Sequence, residues 1–127
     1  MSMSVLKRDV SRDDVFWWKP LTGFTWVDFH QAVDEIEELS AETRHQTTIV
    51  VNPQGDLPRG NAIPHLGRLF NLLKTSDVIH CFVIVLNSQH PVSKMLMPMV
   101  LRVYGVPDKF VMVQTLEQAG AEIQKHS

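Results

Sequence analysis

Residues 47–74 read TTIVVNPQGDLPRGNAIPHLGRLFNLLK. The first five are continuous and β-branched, the pattern of a strand covered on both faces. Residues 52–60 hold two prolines and two glycines and read as a loop. Asn61 is placed to cap a helix whose first turn tolerates Pro64. Ile63, Leu66, Leu69, Phe70 and Leu73 then form an apolar stripe, and Gly67, on or next to it, predicts a close approach to the sheet. Strand–loop–helix units of α/β proteins carry their working residues just past the carboxyl end of the strand. The 52–61 loop is therefore the candidate functional surface.

Working outward, residues 5–24 suit an antiparallel pair, VLKRDV and the aromatic VFWWKPL around a polar SRDD turn, behind a frayed end at 1–4. Thr25 with Asp28 forms a Thr-x-x-Asp capping box for a helix over 26–39, with Trp26, Phe29, Val33 and Ile36 on its inner face. Its acidic run, Asp34, Glu35, Glu37 and Glu38, reads as a solvated face. Beyond the opening unit come a buried strand over 78–86, a loop, a helix over 92–104 interrupted in composition by Pro98, a cap at Gly105 with Pro107 close behind, a strand over 109–114 and a helix over 116–125 capped by Thr115. Strands alternating with helices predict an α/β fold: a mostly parallel central sheet of four to five strands flanked by about four helices, in one domain over 1–127.

Bulk properties narrow the function classes. The chain has 127 residues, 44% hydrophobic and 20% charged, with a net charge of −2, a globular composition with no field for nucleic acid. The single cysteine, Cys81, excludes an internal disulfide and fits a reducing compartment. With no apolar leader and no run long enough to span a bilayer, a cytoplasmic protein is expected.

No spacing announces a reaction. Of the six histidines, His80 and His90 bracket one strand, on the order of 30 Å apart. His30 and His45 lie on and beyond the first helix, and His126 is near the end. His65 and His90 both follow strand ends and could meet, with Asp56 as a third ligand of a metal, but surface or capping roles are the simpler expectation, and neither metal nor cofactor is predicted. Ser88, Ser93 and His90 lack a turn that presents a serine. GDLPRGN carries neither nucleotide-binding glycine spacing. Cys81, mid-strand, reads as a buried inert thiol.

Two surfaces remain. The polar one joins Asn52, Gln54, Asp56, Arg59 and Asn61 with His90, where two strand ends enter loops. The apolar one is the methionine-rich third helix, with Met95, Met99 and Val103, together with Trp17 and Trp18, which face opposite sides of a strand.

The element order, Leu21-Thr22-Gly23 leading into a helix, and the last third, NSQHPVSKMLMPMVLRVYGVPDKFVMVQTLEQAGAEI with Thr115-Leu116-Glu117-Gln118-Ala119 opening its final helix, resemble the STAS domain of anti-sigma factor antagonists and sulfate-transporter tails. The resemblance implies a non-enzymatic regulatory domain that binds a protein partner. It departs from the family at one place. Antagonists of that family carry a phosphorylated serine or threonine at the start of the second helix; here Pro58-Arg59-Gly60-Asn61 stands there, and residues 52–74 hold no serine or threonine. A phosphate switch needs a hydroxyl, so that role passes to no residue of this chain. The expectation is a protein partner at the 52–61 loop. The alternatives are a lipid or small apolar ligand at the methionine-rich helix and the tryptophans, and a homodimer through the same apolar surfaces.

Overall fold

Strand β3 (Thr47–Val51) is buried along its whole length and forms the centre of a five-stranded sheet in the computed structural model, which describes residues 3–43, 45–105 and 108–125. Around it the order along the sheet is the order along the chain. Strands β1 (Ser4–Arg8) and β2 (Val15–Pro20) pair antiparallel, while β2, β3, β4 (Ile79–Val85) and β5 (Phe110–Val113) are parallel. The α/β class and the mostly parallel sheet are thus as the alternation of patterns predicts.

Sequential parallel strands have a consequence that periodicity does not show. Each crossover steps in the same direction, and right-handed crossovers then lay all their helices on one face. Helices α1 (Trp26–Glu42), α2 (Ala62–Thr75) and α3 (Pro91–Tyr104) pack with Phe16, Trp18, Ile49, Val51 and Phe82 in the larger core. On the other face α4 (Leu116–Lys125) covers Val50, Cys81 and Val83 with Ala119 and Ile123. Full burial of a side chain such as Phe82 contributes about 2–3 kcal/mol, so the three-helix face holds most of the stabilising area.

Local signals explain where the elements stop. Thr25 and Asp28 form the complete capping box of α1, and Asp28 reaches further, accepting the Met3 N–H. That contact, with Ser4 opening β1, orders part of the segment expected to fray; Met1 and Ser2 lie outside the described residues. Helix α1 runs one turn past residue 39, because Ala41 and Glu42 suit a helix and Thr43 closes it with its N–H on the Leu39 carbonyl. Pro98 does not interrupt α3. Its ring lies on the exposed side of the helix, where the cost of the one helical bond a proline cannot make, to the Lys94 carbonyl, is smallest. Gly105 ends α3 at φ +79°; Pro107 and His126 lie outside the described residues. The Thr115 hydroxyl accepts the Gln118 N–H at the start of α4.

Gly67 does permit a close approach, but not to the sheet. The ring of Tyr104 lies over it, so that a Cβ there would overlap the ring, and the Tyr104 hydroxyl donates to the Ile63 carbonyl at 3.0 Å. This is how α3 seats on α2.

Candidate functional site

The 52–61 loop is stitched down along its length. Its first residues extend the parallel pairing with β2, the Asn52 N–H donating to the Trp18 carbonyl and the Gln54 N–H to the Pro20 carbonyl, both at 2.8 Å. The Thr22 hydroxyl donates to the Gln54 carbonyl at 3.2 Å. Gly55 passes so near that an added Cβ would stand 3.2 Å from the Thr22 Cα.

Asp56 is the centre of the site, and its work is structural. Its carboxylate accepts the Val92 N–H at 2.7 Å, the Ser93 N–H at 2.9 Å and the Ser93 hydroxyl at 2.6 Å, and the Leu57 N–H at 2.9 Å. It therefore caps α3 from a loop 36 residues away in sequence, supplying a charge to the positive end of a helix whose own cap position, His90, gives no side-chain bond to α3. Burial pushes the carboxyl pKa up, but these donors, Ser93 first, outweigh it and hold it below the usual carboxylate range.

His90 does not reach the surface: it is 1% exposed. Its Nδ1 accepts the Asn87 N–H at 3.1 Å, which puts the ring proton on Nε2, 2.9 Å from the Pro53 carbonyl. His90 thus ties the loop after β4 to the loop after β3. It cannot join His65 on a metal, because His65 faces a different helix. His65 Nδ1 lies 2.8 Å from His30 Nε2, and Arg68 donates to His30 Nδ1 at 3.0 Å. Since Arg68 only donates, His30 carries its proton on Nε2 and donates that N–H to His65 Nδ1. Asp34 and Glu37 hold the same guanidinium. Among the described residues no group of three His, Cys, Asp or Glu is placed for a metal ion. Ser93 bonds Asp56 rather than His90, so the two do not form a nucleophile–base pair.

The remaining polar candidates face outward. Gln54, Arg59 and Asn61 are exposed and Asn52 is half-buried; Asn61 accepts the Ile63 N–H as the cap of α2. The residue that sequence reading passed over is Trp26. Its indole N–H donates to the Arg59 carbonyl at 3.0 Å, and its ring stacks on His65 with centroids 4.4 Å apart. An indole at the first position of a helix, rather than deeper on its apolar stripe, was the available signal. Trp26, Leu57, Pro58 and Arg59 border an open groove between the start of α1 and the loop.

The apolar candidates separate. Trp18 is 2% exposed and lies in the larger core, its N–H on the Ser4 hydroxyl at 2.7 Å. Trp17, on the other face of β2, is half-buried and donates to Asp9 at 2.8 Å. Met95, Met99 and Val103 are 66%, 49% and 62% exposed and form one stripe along α3 with Val92, while exposed Met112 on the edge strand β5 lies by Lys94 and Pro98 on another side of the helix. Cys81 is buried, and burial followed by the charge of Glu122 pushes its thiol up to about 11. No helix among the described residues is long and apolar enough to cross a membrane.

Inside the larger core, beneath the loop, lies an apolar cavity of about 50 Å³. No family model, no curated protein and no solved structure matches the chain.

Proposed function

We propose that this chain is a non-enzymatic, STAS-like regulatory module that binds a protein partner through the 52–61 loop and the start of α1, with no phosphorylation switch in that loop. One observation carries the reading: the loop is held from beneath by Asp56 on α3 and from the side by Trp26 on the Arg59 carbonyl, while the Arg59 side chain stands exposed at the rim of the groove. A loop already fixed in one shape loses little entropy on binding, and Trp and Arg are the residue types that dominate interface energetics. The groups that would otherwise suggest acid–base chemistry, Asp56 and His90, are committed to backbone partners. The buried, unreactive thiol and the lack of a membrane-crossing helix among the described residues fit a cytoplasmic setting, which belongs to the same proposal. Photo-crosslinking in the native cell tests it. A crosslinker at Gln54 should give one discrete protein adduct, and one at Lys125 none; no adduct from Gln54, or the same adducts from both, would contradict the reading.

A second reading rests on the stripe of Val92, Met95, Met99 and Val103. A row of exposed apolar side chains along one helix suits self-association. Sedimentation would show a dimer that Met99→Lys dissolves; a monomer at every concentration would remove this reading.

A further inference from the structure

The sheet ends on β1 at one side and β5 at the other, and among the described residues no further strand pairs with either. Hydrogen bonds fix which residues face out. The Leu21 N–H donates to the Met3 carbonyl and the Asp9 N–H to the Val15 carbonyl, so Val5 and Lys7 bond toward β2 while Ser4, Leu6 and Arg8 turn their peptide groups outward. On β5 the Phe82 N–H donates to the Lys109 carbonyl and the Leu86 N–H to the Val113 carbonyl, which leaves the peptide groups of Phe110 and Met112 outward. Such a row of donors and acceptors is a template for another strand, and proteins commonly blunt it with a charge, a proline or a bulge. The sequence of β5, FVMV, is short but carries none of these.

The two edges match each other. Leu6, Trp18, Val51, Ile84 and Met112 stand in one row across the sheet, and Arg8, Phe16, Ile49, Phe82 and Phe110 in another. A second copy that continues the sheet without stagger therefore sets its Met112 opposite Leu6 and its Phe110 opposite Arg8. Because β1 runs against the other four strands, the new pairing is antiparallel. The pleats agree: Leu6 and Phe110 both pack toward the three-helix face, and Arg8 and Met112 lie two residues along on the same side. Met112 then meets an apolar neighbour, and the Arg8 guanidinium, already 5.3 Å from the Phe16 ring centroid, gains a second ring.

The helices beside the edges carry opposite charge. Glu35, Glu38 and Glu42 of α1 wall an open groove along β1. Lys94 and Pro98 of α3 stand beside Met112, and exposed Arg102 continues that row one turn further. Either edge paired with its own kind would bring like charges together; paired with the other, it sets α3 cations against α1 carboxylates.

We infer that copies of this chain join head to tail, β5 of one adding to β1 of the next, in an open-ended row with one continuous sheet. The interface is heterologous, so every assembly keeps one free edge at each end. It is distinct from the partner surface proposed above, since the 52–61 loop follows the central strand β3 and lies at neither edge.

Sedimentation velocity of the full-length protein tests it. The expected result is a mean size that rises past the dimer as concentration increases. Arg8→Pro and Met112→Pro each remove one outward N–H and no bond within the sheet. Each alone should remain a monomer, and the two mixed should give a one-to-one dimer and nothing larger, because each retains the edge that the other has lost. A monomer at every concentration up to about 1 mM, an end point at the dimer for the unaltered protein, or no dimer from the mixed, folded variants would overturn the proposal. Should the prolines disturb the fold, surface charges decide it. Arg102→Glu and Glu38→Arg should each weaken association about tenfold, and the chain carrying both should recover part of the loss; no recovery would overturn it.

Discussion

Asp56 accepts two hydrogen bonds from Ser93, one from its N–H at 2.9 Å and one from its hydroxyl at 2.6 Å. The pair joins the loop after β3 to the first turn of α3, and through it the candidate surface is made rigid by a half-buried residue at the edge of the groove whose carboxylate is engaged by α3. Replacing Asp56 by Ala removes a charged cap and leaves helix N–H groups unpaired, a loss of about 1–3 kcal/mol. Thermal unfolding should fall by several degrees, and the amides of Val92 and Ser93 should lose hydrogen-exchange protection before those of β3. Ser93→Ala, which keeps the backbone bond, should lose about 1 kcal/mol.

Acid should weaken the same latch in a defined range. The Asp56 carboxyl is held below its ordinary value, so the unfolded chain takes up protons at a higher pH than the native one. Its contribution is complete above about pH 4 and is lost as pH falls below that toward the native pKa. Asp28, lowered chiefly by the Thr25 N–H, acts in the same direction. Urea unfolding between pH 5 and about 2.5 should show the decline, and Asp56→Asn should flatten it.

A second pH response comes from the junction of α1 and α2. Burial, then the charge of Arg68, lowers the His30 pKa, and the hydrogen-bond chain from Arg68 through His30 to His65 requires a neutral His30 ring. A histidine lowered in the folded state contributes stability above its unfolded pKa of about 6.5 and loses it as pH falls through the native value. His30→Gln should remove this slope while leaving the acid limb below pH 4 in place.

Tyr104 and Gly67 make a steric prediction. Gly67→Ala places a methyl in the Tyr104 ring and should destabilise the protein by about 1–3 kcal/mol, although alanine is the better helix former. Combining it with Tyr104→Leu should recover part of the loss, and a double-mutant cycle measures the coupling.

Cys81 should react with a thiol reagent at neutral pH only on unfolding, since its thiol is buried and raised to about 11. Modification in the native state at the rate of a free thiol would contradict its position under α4.

How far these features can be read from the chain depends on how local their causes are. The capping box of Thr25 and Asp28, the β-branched run over 47–51 and the Asn61 cap are written within four or five residues, and each appears in the structure where the pattern places it. The one-sided arrangement of helices depends on strand order, which no periodicity encodes. The role of Asp56 is hidden for a similar reason: the helix it caps begins 35 residues later, so its carboxylate reads locally as a polar loop residue. His90 looks like a surface histidine because its two partners are backbone groups, which leave no trace in side-chain composition. His65 pairs with His30, across two helices whose packing was not legible.

The central claim is that the stiff 52–61 loop is a recognition surface with Arg59 as its exposed charge. The direct measurement is the affinity of the crosslinked partner, once purified, for the unaltered protein and for Arg59→Glu. The account predicts a loss of at least about tenfold, about 1.4 kcal/mol, with an unchanged unfolding temperature. Equal affinity for the two proteins would contradict it.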